Sequence, residues 1–281
     1  MPDGPLLVTG ATGLHGGAVC DGLLAAGRSV RGLTRDLHGG RSRELSELGA
    51  EMVVGDLSVT ESLVAAMQGA CAVYAVTTPF GADPRAEVAQ GEHIIAAACE
   101  AEVPWLILAS VASADRATGI PHFDSKAQIE QQLGVSSVPS TIVAPTYFYE
   151  NLGDLEEIIA SGQLALPLPA ARPLQQVALA DLAALVVALL DRRDEFLGHR
   201  IEVAGDQPTP RQMADALSAA IGRPVRYQQI DPAARSGDIA AMYRYLEQTG
   251  YQVNIDDLRS LFPEVAWTSF ADWTQQQFTA P

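Results

Sequence analysis

The sequence predicts an α/β fold, a doubly wound parallel sheet with a smaller C-terminal α/β lobe. Three observations lead there. A short apolar run, Leu6-Leu7-Val8, turns abruptly into a glycine-rich loop that opens a helix. Apolar strand-like runs then alternate with helical patterns as far as residue 151, the order that builds a parallel sheet with helical crossovers. Beyond that point the chain becomes proline-rich and then dense in aromatics. The division expected is residues 1–151 as a nucleotide-binding domain and 152–281 as a substrate-binding lobe partly interwoven with it.

The loop spells Gly10-Ala11-Thr12-Gly13-Leu14-His15-Gly16. Gly10 permits the tight turn, Gly13 lets backbone approach a pyrophosphate, and Gly16 lets the helix close on the strand. This is the physics of a Rossmann-type dinucleotide site, with the helix N–H groups and dipole facing the phosphates. The helix runs from Leu14 to Ala26, with Gly27 as its stop. Ser29 to Leu33 reads as the second strand, ending in Thr34-Arg35-Asp36. An acidic residue at that strand end binds the 2′-hydroxyl of NAD, and an arginine accommodates the 2′-phosphate of NADP. Arg35 favours NADP, with Asp36 one position later as the competing signal.

Ala50 to Val54 is the third strand, closing in Gly55-Asp56-Leu57. Asp56 either faces an adenine or caps the turn. Ser58 and Glu61 have capping-box spacing for a helix from Thr60 to Gln68. Cys71 to Val76 is the fourth strand, with Thr77-Thr78-Pro79 at its carboxyl edge, where ligands lie in open α/β sheets. A helix follows over Asp83 to Glu102, with Val88, Ile94, Ile95 and Ala98 inward. Trp105 to Ala109 ends in Ser110, and Ser140 to Ala144 ends in Pro145-Thr146-Tyr147-Phe148-Tyr149-Glu150-Asn151.

In the C-terminal part, Leu164 to Pro173 reads as irregular, Asp181 to Leu190 and Arg211 to Ile221 as helices, and Gly198 to Ala204 and Val225 to Ile230 as strands. Tyr243, Tyr245, Tyr251, Trp267, Phe270, Trp273 and Phe278 are expected to pack a small lobe.

Composition narrows the partners. A formal charge of −16 argues against charge-driven binding of nucleic acid. No apolar run is long enough to predict a membrane span, and Met1-Pro2-Asp3-Gly4-Pro5 lacks the character of a secretory signal, so a cytoplasmic protein is expected. Cys20, Cys71 and Cys99 read as buried free thiols, and no metal-ligand spacing links them to the five histidines.

The residues with chemical potential are Ser110 at a strand end and His122 and Lys126, four apart on one helical face. The glycine loop, Ser110, Lys126 within His122-Phe123-Asp124-Ser125-Lys126 followed by Ile129-Glu130, and Pro145-x-x-Phe148-x-Glu150-Asn151 together resemble the NmrA-like branch of the atypical short-chain dehydrogenase/reductases. The resemblance runs over nearly the whole chain. It implies NADP(H) held by Gly10, Thr12, Gly13, Leu14, His15, Gly16, Arg35, Asp56, Leu57, Thr77, Thr78, Pro79, Lys126, Pro145, Tyr147 and Phe148.

In the wider superfamily a Tyr four residues before the Lys protonates the carbonyl oxygen, the Lys holds the nicotinamide ribose, and the Ser steadies the oxyanion. Here His122 occupies the Tyr position. The proton donor is then His122 itself, or Tyr147 or Tyr149, or there is none. The first expectation is an NADPH-dependent reduction of a small carbonyl, quinone or conjugated alkene. A conjugated acceptor suits the missing Tyr, because hydride addition to it needs weaker proton assistance. The alternatives are a non-catalytic NADP(H) sensor, or a non-redox cyclase or isomerase that keeps the cofactor. Beyond the small-molecule substrate, a homodimer or a regulatory protein partner is admitted by the resemblance.

Overall fold

The computed structural model describes residues 4–78, 84–153, 155–235 and 237–279, so Pro79 lies outside the described residues. In chain order the first elements are β1 (Leu6–Val8), α1 (Leu14–Ala25), β2 (Val30–Thr34), α2 (Gly40–Glu47), β3 (Glu51–Val54) and α3 (Thr60–Met67). Then come β4 (Ala72–Ala75), α4 (Pro84–Glu100), β5 (Leu106–Ala109), α5 (Pro121–Val135) and β6 (Ser140–Pro145). Next are β7 (Tyr147–Phe148), α6 (Leu155–Ser161), β8 (Gln163–Leu166), β9 (Gln176–Val177), α7 (Leu179–Asp191), α8 (Arg193–Phe196) and β10 (Arg200–Val203). The chain finishes with α9 (Pro210–Ile221), β11 (Arg226–Gln229), α10 (Gly237–Gln248), α11 (Ile255–Leu261) and α12 (Phe270–Thr279). It separates into two compact units, residues 1–144 with 182–202, and residues 145–181 with 203–281.

The first unit is built on a seven-stranded sheet in the order β10-β6-β5-β4-β1-β2-β3. β1 pairs in parallel with β2 (Leu6 opposite Val30) and with β4 (Leu6 opposite Ala72). The winding direction reverses between β1 and β4, the switch point where α/β sheets open a crevice at their carboxyl ends. The strands are short and mostly apolar on both faces, as a sheet covered on both sides requires. One core layer joins Leu7, Val73, Ala75, Leu106 and Leu108 of the sheet to Leu63 and Met67 of α3, Ile94 and Ala98 of α4, and Ile129 and Leu133 of α5. Each of the Leu, Ile, Val and Met side chains contributes about 1.5–3 kcal/mol by leaving water.

The inward face of α4 is Glu87, Gly91, Ile94, Ile95 and Ala98, so Val88 sits half-buried beside the stripe rather than on it. Gly91 is where α4 meets α5: a Cβ there would lie 2.5 Å from Ile129 Cγ1 and 2.7 Å from Cγ2. Gly91→Ala is expected to cost about 1–3 kcal/mol by overpacking, read as a lower Tm, and Ile129→Val in the same chain should return part of it.

Three further expectations are corrected here. Ser58 and Glu61 form no capping box: α3 has Val59 as its N-cap without a side-chain cap, because the Asp56 carboxylate takes both the Ser58 N–H and its hydroxyl at 2.8 and 2.7 Å. Cys20 and Cys71 are buried, but Cys99 is exposed, since the last turn of α4 directs it outward. The stretch from Leu164 is not irregular at its start. Gln163–Leu166 is a strand, ordered by parallel pairing with β11 from more than sixty residues away in sequence.

In the second unit β8 pairs with β11 and β7 with β9. α9 starts on a full capping box, Thr209 with Gln212, carries Pro210 in its first turn, and stops at Gly222 with φ of 73°. The expected aromatic packing is found. Phe270 and Trp273 are buried against Tyr149, with ring centroids 5.3 and 5.5 Å away, in a cluster with Leu164, Leu166, Met213 and Leu217. Among the described residues no helix is long and apolar enough to cross a membrane.

Candidate functional site

The crevice between β1 and β4 is closed at its floor by Thr9, whose Oγ1 accepts from the Val76 N–H at 2.7 Å and donates to the Val76 carbonyl at 2.9 Å. Gly10 follows with φ of 62°, a left-handed conformation that favours glycine. The Gly13 N–H returns to the Gly10 carbonyl at 2.9 Å, which closes the turn. At Gly16 a Cβ would fall against the Gly10 carbonyl oxygen, 2.7 Å from its carbon and 2.8 Å from the Thr9 oxygen. Helix α1 therefore lies on the loop at a distance only glycine allows. Its N-cap, Gly13, supplies no side-chain cap, and Thr12, Gly13 and Leu14 are exposed at the loop's outer side. The unpaired N–H groups of a first turn and the positive end of its dipole fit an anionic group such as a pyrophosphate.

His15 turns inward. Its Nε2 lies 2.8 Å from the Tyr74 hydroxyl on β4, and the rings meet edge to face at 5.7 Å. Enclosure of the imidazole, and then the nearby Lys126 ammonium, hold its pKa down to about 3. His15 is thus neutral in the folded chain, whereas the unfolded chain takes up its proton near 6.5. That difference is stabilising above the unfolded value and is lost as pH falls from about 6.5 toward 3. In denaturant titrations His15→Gln should lose less stability than the wild type over that window.

Lys126 rises from the buried face of α5, which also carries His122, Ser125 and Ile129. Its Nζ donates to Thr77 Oγ1 at 2.7 Å and lies 3.0 Å from Glu87 Oε1. The carbonyls of Thr77 and Ala109, at the carboxyl ends of β4 and β5, are each 3.3 Å away. Glu87 is 0% exposed; it also accepts from Thr77 Oγ1 at 2.9 Å and from the Ser125 hydroxyl. Thr78 is exposed, with its N–H directed to Gln90 at 3.3 Å.

Ser110 ends β5 with its N–H on the Val143 carbonyl at 2.8 Å, and its hydroxyl donates to the Glu130 carboxylate. Glu130 is held by Arg200 Nε at 2.9 Å, and Arg200 reaches Glu202 at 3.0 Å. The proton of Ser110 is therefore spent on Glu130, and its lone pairs remain to accept. His122 sits in the first turn of α5, 9% exposed, its ring edge to face with Phe123 at 4.8 Å.

At the end of β2, Arg35 is exposed. The Asp36 carboxylate folds back onto the His38 N–H at 2.8 Å, while the Asp36 carbonyl accepts from Ser42 Oγ at 2.7 Å. Arg41 pairs with Asp21 and Glu44. Asp56 is a turn carboxylate held low by the Ser58 hydroxyl and N–H, and Leu57 packs half-buried on the core.

The second unit opens at Pro145, which is buried. Tyr147 is buried with its hydroxyl 3.0 Å from that of Tyr243 and 3.2 Å from the Asn151 carbonyl; burial, and then Tyr243, push its pKa well up. Phe148 is half-buried in β7. Tyr149 is a core residue donating to the Thr268 carbonyl at 3.0 Å. Glu150 accepts the Leu179 N–H at 3.1 Å and so caps α7.

Sequence reasoning missed Glu87, Thr9 and Tyr74. Glu87 carried a signal: it continues the stripe of Gly91, Ile94 and Ala98 at helical spacing, where a charge demands a partner. Thr9 and Tyr74 had none, because their roles depend on pairing β1 with β4.

A parallel sheet reversed at β1 and β4, with the glycine turn and a buried lysine at its carboxyl edge, defines a Rossmann-type α/β protein. Residues 2–274 match the NmrA-like family, and the chain belongs to it. It is 31% identical to an NAD(P)H azoreductase of Xenophilus azovorans over 230 residues, covering 80% of this chain and 77% of the relative. Its fold is that of Citrobacter sp. triphenylmethane reductase complexed with NADP(H), at a TM-score of 0.82 and 21% identity, covering 97% of this chain and 99% of the other. It is equally that of NmrA, a negative transcriptional regulator in complex with NADP, at a TM-score of 0.82 and 20% identity over 98% and 95% of the two chains.

Proposed function

We propose that the protein is an NADPH-dependent reductase of a small carbonyl, quinone or conjugated alkene. The observation that carries this reading is the placement of Lys126. Its ammonium stands at the carboxyl ends of β4 and β5, within electrostatic reach of His15 in the first turn of α1. One ligand laid along the crevice, its phosphates on the glycine loop, would meet this lysine with its nicotinamide ribose. NADPH, when bound, supplies the hydride. The chain binds its phosphates through Gly13 to Gly16 and holds the 2′-phosphate with Arg35. Asp36, one position later, has its Oδ1 on the His38 N–H of its own turn.

Of the proton donors considered, Tyr149 is removed by its place in the core, and a Tyr147 with a raised pKa is a weak acid. His122 is the remaining candidate. Ser110, its hydroxyl proton held by Glu130, offers the substrate oxygen no donor. Such a site suits an electron-poor conjugated acceptor, which gains stability from hydride addition without an oxyanion clamp.

The second reading is a non-catalytic NADP(H) sensor. The commitment of the Ser110 and Tyr147 hydroxyls to protein partners favours it. The deciding experiment is NADPH oxidation against quinones, enones and aldehydes, with Lys126→Ala in parallel. Turnover that collapses in the variant supports the reductase; tight NADPH binding with no oxidation on the whole panel supports the sensor.

A further inference from the structure

We propose that Glu87 is the positioning residue for Lys126, fixing its ammonium so that one N–H is left for the nicotinamide ribose. The proposal rests on the reading that Lys126 meets that ribose.

An ammonium has three N–H donors and no acceptor. Two of those of Lys126 have short partners, Thr77 Oγ1 at 2.7 Å and Glu87 Oε1 at 3.0 Å. The third is left with the Thr77 and Ala109 carbonyls, both at 3.3 Å and both at the carboxyl edge of the sheet. That weakly held donor is the one a ribose hydroxyl can take over. The two short contacts keep the side chain from following it.

Glu87 is equipped for the task. Its carboxylate is fully buried and is fixed by the Thr77 and Ser125 hydroxyls as well as by the ammonium. It therefore ties α4 to β4 and α5 around one charge. The side chain of Lys126 is only 10% exposed, so water does little to replace this carboxylate. A buried charge that loses its counter-charge leaves its place or its protonation state. His15 of α1, within electrostatic reach of Lys126, is neutral and supplies no counter-charge.

The test is Glu87→Gln, titrated with NADPH and with adenosine 2′,5′-bisphosphate, which carries the same 2′-phosphate but no nicotinamide ribose. NADPH is expected to bind about tenfold more weakly than to wild type, and the bisphosphate within about twofold. Equal weakening of both probes means a general distortion and overturns the proposal, as does unchanged binding of both. Lys126→Ala separates the layers. If that variant binds both probes like wild type, the ribose reading itself fails and Glu87 has nothing to position. If Lys126→Ala loses NADPH selectively while Glu87→Gln does not, the proposal alone is overturned. Should Glu87→Gln not fold, Ser125→Ala, which frees one Glu87 oxygen, decides with the same probes: selective loss of NADPH supports the proposal, and no selective loss overturns it.

Discussion

Gly16→Ala is expected to weaken NADPH binding by at least about a hundredfold, ~2.7 kcal/mol. The argument is steric. A Cβ at this position falls between the Thr9 and Gly10 carbonyls, 2.8 Å from one oxygen and 2.7 Å from the other residue's carbonyl carbon. Both are backbone, which no rotamer change can move aside. Helix α1 must lift from β1, and its first-turn N–H groups then leave the position that the proposed phosphate contacts require. Fluorescence titration with NADPH measures the effect. Gly134→Ala is the matched control: it stands exposed on α5 with nothing within 4 Å of the added methyl. That change should leave binding intact and raise stability by up to ~1 kcal/mol through helix propensity.

Lys126→Met carries the second large effect, and it acts on stability and turnover for different reasons. Removing the ammonium leaves the Glu87 carboxylate buried with, among the described residues, the Thr77 and Ser125 hydroxyls as its hydrogen-bond partners. Breaking one side of a buried pair typically costs ~3–5 kcal/mol, so the unfolding midpoint in denaturant should fall sharply. Adding Glu87→Gln removes the stranded charge, and the double variant should recover most of that stability. Turnover should not recover, because the group expected at the ribose is still missing. A double variant as unstable as Lys126→Met would show that the two residues do not act as a pair. Recovery of turnover together with stability would show that Lys126 has a structural role alone.

The parts of this molecule that were legible in the sequence are those with local causes. Gly10 and Gly16 announced a tight turn and a close helix, and the structure shows φ of 62° at one and no room for a Cβ at the other. The alternation of strand and helix announced the parallel sheet. What stayed hidden depends on partners distant in sequence. Gln163–Leu166 looked irregular because the strand that orders it is β11. Ser58 looked like a helix cap because its capture by Asp56 depends on the turn geometry. Pairing Ser58 with Glu61 was correct spacing with the wrong competitor.

The candidate site was half legible for the same reason. Lys126 and Ser110 could be picked out by position. The carboxylates that hold them, Glu87 and Glu130, belong to α4 and α5, and only the packing of those helices on the sheet brings them to β4 and β5. Leu14, 60% exposed, lies beside an inward-facing His15 because α1 begins there and the first helical turn splits the two side chains between crevice and solvent.

The central claim is that this chain passes a hydride from NADPH to an acceptor at the Lys126 edge. Its most direct test is a single turnover: protein loaded with NADPH, mixed with each acceptor class, and followed by the loss of reduced-nicotinamide absorbance. The account predicts rapid oxidation of the bound cofactor by at least one conjugated acceptor, slowed at least about a hundredfold in Lys126→Ala, a change of ~2.7 kcal/mol in the barrier. Bound NADPH that stays reduced against every acceptor, at concentrations where binding is complete, would contradict it and leave a protein that reads the cofactor without using it.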